Sequence, residues 1–329
     1  MMFKSTLKSE LSEFYLLREA SRSESTLAHD RGTLMVFDEH LTRNGIAGKE
    51  LSEETVYGWM RSLNVGGRTL ANKAVLIRLF ARYLNSVGIS AFVPEIPKYA
   101  KDYVPYLFSD DELKRIFESA DNIQIVGWRA SCPHMQIEFP MVLRMLCGCG
   151  LRISETLSLR VRDVDLEGGI LSVKHAKGDK QRLVPMHTSL SALLQQYCLA
   201  MGLMGKPDSP LFPSAAGDVP MQTYVARDKF KQILRDTGIT LKEKAKRERG
   251  PCLHCFRHVF AFKSFAQAER AGRPVDDSVP FLSTYLGHEN LNETAMYLKF
   301  SSDLFPEALE RFEVYTADVF PEGHSYEED

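Results

Sequence analysis

Apolar residues recur every three or four positions through the first ninety residues of the chain, the spacing of one buried face on an α-helix. The stretch "TLKSELSEFYLLREA" (6–20) carries this period first. "STLAHDRGTLMVFDEHLTRNG" (25–45) repeats it, with Ser25 placed to cap the start and Gly45 to stop it. "SEETVYGWMRSLN" (52–64) predicts a third helix capped by Ser52. "TLANKAVLIRLFARYLNSVG" (69–88) is the longest and most apolar, and it ends at Gly88. Four or five helices with short connections make a small bundle.

The period then breaks. "FVPEIPKYAKDYVPY" (92–106) has three prolines and reads as an interdomain linker. Regular structure resumes at "SDDEL", where Ser109 and Glu112 fit a capping box and Asp110 and Asp111 suit a helix N-terminus. From there the chain mixes helix and strand. "FPMVLRMLCGCG" (139–150) predicts an apolar helix broken by Gly148 and Gly150. "GGILSVKHAKGDKQRLVPM" (168–186) alternates, turns at "KGDK" and returns, which is a β-hairpin. Helical period returns over 188–202 and 224–238, with a short buried or edge strand "SPLFPS" (209–214) between them. A basic loop, "LKEKAKRERG" (241–250), leads into "PCLHCFRHVFAFKSFAQAE", a helix with Pro251 near its first turn. Shorter helices are expected near 279–287 and 291–299, then a last one with apolar Phe305, Leu309 and Phe312. The pattern therefore gives a mainly α chain with a small β-sheet (α+β): a helical domain over 1–91, a linker over 92–106, a mixed domain over 107–316 and a tail over 317–329.

Composition narrows the class. No run of about 18 apolar residues is present, so no membrane-spanning helix is expected. The start "MMFKSTLKSELSEF" is charged throughout and unlike a secretory signal. Six scattered cysteines fit reduced thiols in a cytoplasm. The net charge of −2 hides an asymmetry. Residues 1–100 hold 13 basic against 11 acidic side chains, residues 101–300 hold 27 against 23, and residues 301–329 hold 1 against 9. A mildly basic body with an acidic tail is compatible with binding nucleic acid.

Charged residues also occur where packing alone would not want them. Arg152 follows "CGCG" at the start of "ISETLSL"; His254 and Arg257 share one face of an apolar helix; Lys177 lies at the hairpin tip. His288 ends "LGH", and Tyr297 lies on the next helix, in "ETAMYLKF". Converging these cations is costly unless an anion neutralises them, and a phosphodiester is such an anion. No acidic cluster of the kind that holds Mg²⁺ is evident, so a tyrosine hydroxyl is a fitting nucleophile. Taken singly, each residue has a plainer reading: Tyr297 as core, Arg152 in a helix-start ion pair, Lys177 as a solvated turn residue, His288 as a helix C-cap. "CLHCFRH" also invites a zinc reading through Cys252, Cys255 and His254 with Cys147 and Cys149, but a second pair at metal spacing is lacking.

The runs "GCGLRISETLSLRVRDVDLEGGILSVKHAKGDKQRLVPM", "LHCFRHVFA" and "LGHENLNETAMYLKF" together resemble the tyrosine site-specific recombinases, the phage integrase family, in the family's order. The resemblance covers nearly the whole second domain, and the helical first domain resembles the family's core-binding domain. It implies that Arg152 and Arg257 clamp a scissile phosphate, that Lys177 (with Lys180 as competitor) is the general acid, and that His254 is the acid/base partner of the nucleophile. It further implies that His288 hydrogen-bonds the phosphate, that Tyr297 is the nucleophile, and that Glu155 orients the site. His258 matches a common residue of "HxxRH" without a reactive role. The implied chemistry is metal- and ATP-independent transesterification of duplex DNA through a 3′-phosphotyrosyl link. It is carried out by a tetramer that clamps two duplexes and exchanges strands through a Holliday junction, with accessory recombination-directing proteins in some members and no membrane partner. Longer connections at 121–139 and 268–279 and the odd tail point to a mobile-element integrase or transposase rather than a resolvase of chromosome or plasmid dimers. The rivals are a nicking-closing enzyme like the type IB topoisomerases and a catalytically silent DNA-binding protein on this fold.

Overall fold

A computed structural model describes residues 3–45, 48–100, 105–124, 134–174, 181–214, 217, 219–239, 250–288 and 290–300. The chain divides into two compact units, Met1–Asp102 and Tyr103–Asp329.

Four helices build the first unit: α1 (Lys8–Glu19), α2 (Glu24–Arg43), α3 (Glu53–Ser62) and α4 (Gly67–Ser86). Their apolar stripes meet around Trp59, Phe37 and Phe80, all fully buried. The Phe37 and Trp59 rings cross edge to face at 5.1 Å. Ser52 caps α3 as expected, its hydroxyl accepting from the Thr55 amide. At α2 the extended residue before the helix is Ser23 rather than Ser25, which lies one residue inside it. Residues 92–100 carry no helix or strand.

The second unit opens with α5 (Asp110–Asp121) and its capping box: the Glu112 amide bonds Ser109 Oγ, and the Ser109 amide bonds Glu112 Oε2 at 2.8 Å. Helix α6 (Met135–Cys149) is mostly apolar and buried along most of its length, with Gln136 exposed and Arg144 half-buried. Gly148 does not break it, because helical backbone is open to glycine. Gly150 ends it in the left-handed region at φ 61°. Helix α7 (Ile153–Ser158) comes immediately after.

Strands β1 (Val164–Asp165), β2 (Ile170–Lys174) and β3 (Gln181–Pro185) form an antiparallel sheet in the order β1-β2-β3. Leu171 pairs with Val184 and Val173 with Arg182. The stretch 209–214 expected as a strand makes only isolated bridges, Arg160 with Pro210 and Pro213 with Pro220, since proline cannot donate to a ladder. Helices α8 (Thr188–Ala200) and α9 (Thr223–Asp236) then pack on the core built around α6.

Helix α10 (Cys255–Arg270) starts four residues later than the Pro251 reading placed it, and α11 (Val275–Leu286) starts four residues earlier than expected. Helix α12 (Leu291–Phe300) closes the described chain. Ala261, Phe265, Val279, Leu282, Leu286 and Tyr297 join α10, α11 and α12 in a small core of their own. The basic loop, the hairpin tip with Lys177 and Lys180, and the last helix with Phe305, Leu309 and Phe312 lie outside the described residues.

Candidate active site

Among the described residues, Arg257 is the largest fully buried charged side chain, with 1% of its surface exposed. Its Nη1 donates to the Gly150 carbonyl at 2.8 Å, and its Nη2 donates to the Leu286 carbonyl at 2.8 Å. Both acceptors sit at helix C-termini, where unpaired carbonyls and the helix dipole favour a cation. Each of these ends is closed by a left-handed glycine, Gly150 and Gly287. Gly150 has a second reason to lack a side chain. A Cβ there would meet the Phe260 ring at 2.5 Å and Leu286 at 3.0 Å. Burial, then the charge of Arg152, lowers the guanidinium pKa to about 10, so it stays charged at neutral pH.

Arg152 precedes α7 in extended backbone and is one-third exposed. Its amide donates to Glu155 Oε2 at 2.9 Å and its Nη1 to Glu155 Oε1 at 3.0 Å. Glu155 also takes a parallel pair of bonds from Arg182, at 3.0 and 2.9 Å. Burial alone would raise this carboxyl. The bonds from Arg182 and the Arg152 amide, with the two positive charges, outweigh it and hold the pKa at about 2. Arg182 Nε also donates to the Tyr285 carbonyl at 2.9 Å, which ties β3 to the end of α11.

Tyr297 is 6% exposed and its ring lies among histidines. His258 meets it edge to face at 5.4 Å, and His288 stacks on it at 6.1 Å. Burial raises the phenol pKa; the charge of Arg257, a hydrogen bond to Arg257 and the charge of Arg152 oppose that rise. His288 Nδ1 shares a 2.5 Å hydrogen bond with Thr294 Oγ1, one turn before Tyr297 on α12. Burial, then the charges of Arg257, Arg152 and Arg182, lowers the His288 pKa to about 3. Burial and its cationic neighbours lower His258 to about 3 as well. His254 immediately precedes α10, is exposed, and packs its ring against His258 at 4.8 Å.

The structure therefore gathers Arg152, Glu155, His254, Arg257, His258, His288 and Tyr297 around one locus, through the contacts just given. Two members were not singled out from the sequence, Arg182 and Thr294. Their signals were available. Arg182 shares the inward face of β3 with Val184 while Leu183 points outward, the reverse of ordinary patterning. Thr294 lies three residues before Tyr297, on the same helical face. As for the zinc reading, among the described residues no three His, Cys, Asp or Glu side chains stand close enough to hold a metal ion.

The chain has known relatives. The profile of the phage integrase family matches residues 107–302. A putative integrase/recombinase, y4rB, of Sinorhizobium fredii is 31% identical over 74% of this chain and 77% of its own. Tyrosine recombinase XerD of Pseudomonas putida is 27% identical over 85% of this chain and 88% of its own. The crystal structure of the XerH site-specific recombinase bound to difH substrate, a pre-cleavage complex, superposes with a TM-score of 0.63 at 19% identity, over 88% of this chain and 80% of that one. That likeness carries the fold. With the family match spanning more than half of the sequence, the chain belongs to the phage integrase family of tyrosine recombinases.

Proposed function

We propose that this recombinase cuts one strand of a specific duplex DNA site with Tyr297 and rejoins it to a partner strand. The Tyr297 oxygen attacks the phosphorus, the bond to the 5′ oxygen breaks, and the product is a 3′-phosphotyrosyl link with a free 5′-hydroxyl. His254 takes the phenolic proton; Lys177, with Lys180 as its competitor, protonates the leaving oxygen. Arg257 and Arg152 bind the non-bridging oxygens and stabilise the charge of the phosphorane, while neutral His288 completes the hydrogen bonding. Glu155 orients Arg152, and His258 packs beneath the nucleophile. Attack by a 5′-hydroxyl of a second strand reverses the step, so the bond energy is conserved without ATP or metal.

The observation that supports this reading most is the surroundings of the Tyr297 hydroxyl. It is buried, hydrogen-bonded to Arg257 and within the field of Arg152. Such a centre is suited to receive an anion. In our reading four protomers bring two duplexes together and exchange strands through a Holliday junction, in the cytoplasm of a bacterium. Integration or excision of a mobile element is the favoured role, supported by the similarity to an integrase/recombinase. A suicide duplex nicked beside the cleavage point tests the chemistry. Wild type is expected to give an SDS-resistant protein–DNA adduct, at full level in EDTA. Tyr297→Phe is expected to bind the DNA without linking to it. An adduct that persists in Tyr297→Phe overturns the assignment.

A further inference from the structure

We propose that Cys252 and Cys255 form an oxidisable dithiol that withdraws His254 from the active site when it closes to a disulfide. The two sulfurs stand 3.6 Å apart. The turn between them is already folded, with the Cys255 amide bonded to the Cys252 carbonyl at 2.9 Å and the Cys252 amide bonded to Cys255 Sγ at 3.3 Å. Residues three apart in a helical turn have the separation a disulfide spans. The two thiols differ in access: Cys252 is exposed and Cys255 is 1% exposed. The hydrogen bond to Cys252, then burial, pushes the Cys255 thiol upward, so it keeps its proton and is protected from direct oxidation. The other cysteines of the described residues, Cys147, Cys149 and Cys198, have burial-raised thiols.

A hydroperoxide is the oxidant class that suits this arrangement. The Cys252 sulfur attacks one peroxide oxygen, giving a sulfenic acid and releasing water. The Cys255 sulfur then attacks the Cys252 sulfur and loses its proton, and a second water leaves. Two thiols are oxidised by two electrons, and one hydrogen peroxide is reduced to two waters. A disulfide is about 2.0 Å long, so the sulfurs must approach by more than an ångström. The loop that contracts contains His254, and Arg257 lies two residues beyond Cys255 on the same helix. The turn is poorly placed to absorb the change elsewhere, because the Cys255 side chain is fixed in the core of the second unit.

The activity arm of the test rests on the reading of Tyr297 chemistry above; the mass arm does not. The full-length protein is treated with hydrogen peroxide and digested, and the peptide containing 252 and 255 is weighed. A loss of two hydrogens in that peptide is expected, reversed by dithiothreitol. In parallel, adduct formation on the nicked duplex is expected to fall at least tenfold and to recover on reduction. Cys252→Ser is expected to form adduct like reduced wild type and to be indifferent to peroxide. Sulfinic acid at Cys252 without a cross-link overturns the proposal, and so does a complete cross-link that leaves adduct formation unchanged. Reduced wild type that makes no adduct refutes the tyrosine reading instead, and the mass arm still decides the dithiol.

Discussion

Arg182 and Glu155 meet across 27 residues of sequence through two parallel hydrogen bonds, with both side chains 8% exposed. The pair joins the β-hairpin to the carboxylate that Arg152 also bonds. Arg182→Met leaves the Glu155 carboxylate buried with half its partners. A loss of about 3–5 kcal/mol in urea unfolding at neutral pH is expected from breaking a buried pair on one side. Arg182→Lys keeps the charge but not the fork, so it should recover part of the stability and little of the cleavage rate. If both variants unfold like wild type, the pair is not structural.

The Glu155 carboxyl titrates at about 2 in the folded chain, against an ordinary value of 4.5. A depressed carboxyl contributes its stability above the unfolded pKa and loses it as pH falls through the folded one. At about 1.4 kcal/mol per unit, roughly 3 kcal/mol should disappear between pH 4.5 and 2. Glu155→Gln removes that contribution, so the difference in unfolding free energy between wild type and variant should shrink across this window. A difference that stays constant from pH 5 to 2 contradicts it.

His288, held at about 3 by burial and three arginines, is neutral throughout the physiological range in the free protein. Because the unfolded ring titrates near 6.5, the folded state loses stability as pH falls from 6.5 towards 3. The ¹⁵N and ¹³C shifts of the His288 ring should stay flat from pH 8 to 5. A midpoint near 6 would show that the surrounding guanidinium field is weaker than the geometry implies.

Gly150→Ala confronts a φ of 61° and a Cβ 2.5 Å from the Phe260 ring. Left-handed strain and overpacking together should cost about 3 kcal/mol, read as a lowered denaturation midpoint. Cleavage should fall further than folding alone explains, because the Gly150 carbonyl holds Arg257.

Lys177 and Lys180 can be separated by the leaving group. A substrate whose bridging 5′ oxygen is replaced by sulfur needs no proton to depart. The alanine variant of the true acid should be inactive on the ordinary duplex and active on the sulfur substrate, while the other alanine variant should cleave both alike.

Much of this architecture was legible because it is local. Helical period, Ser52, the Ser109 capping box and the alternation of the hairpin each depend on residues within a few positions of one another. Arg257 stood out because a guanidinium inside an apolar helix must find partners. What escaped was long-range. Glu155 and Arg182 are paired by the folding of a hairpin onto α7, and no spacing announces that. Helix α10 begins at Cys255 because three-residue turns occupy 252–254, and the first helical bond runs from the His258 amide to the His254 carbonyl. The strand expected at 209–214 failed because its prolines remove the donors a ladder needs.

The grip on Arg257 has a bearing on safety. Its two carbonyl partners stand 107 and 29 residues away in the chain, at the ends of α6 and α11. The Arg257 side chain is thus fixed only when three helices have docked on one another. A chain whose α6, α10 and α11 have come apart locally keeps Tyr297 but no longer holds Arg257 in place. For the strand cleavage proposed above, one buried side chain thus makes activity conditional on completed folding.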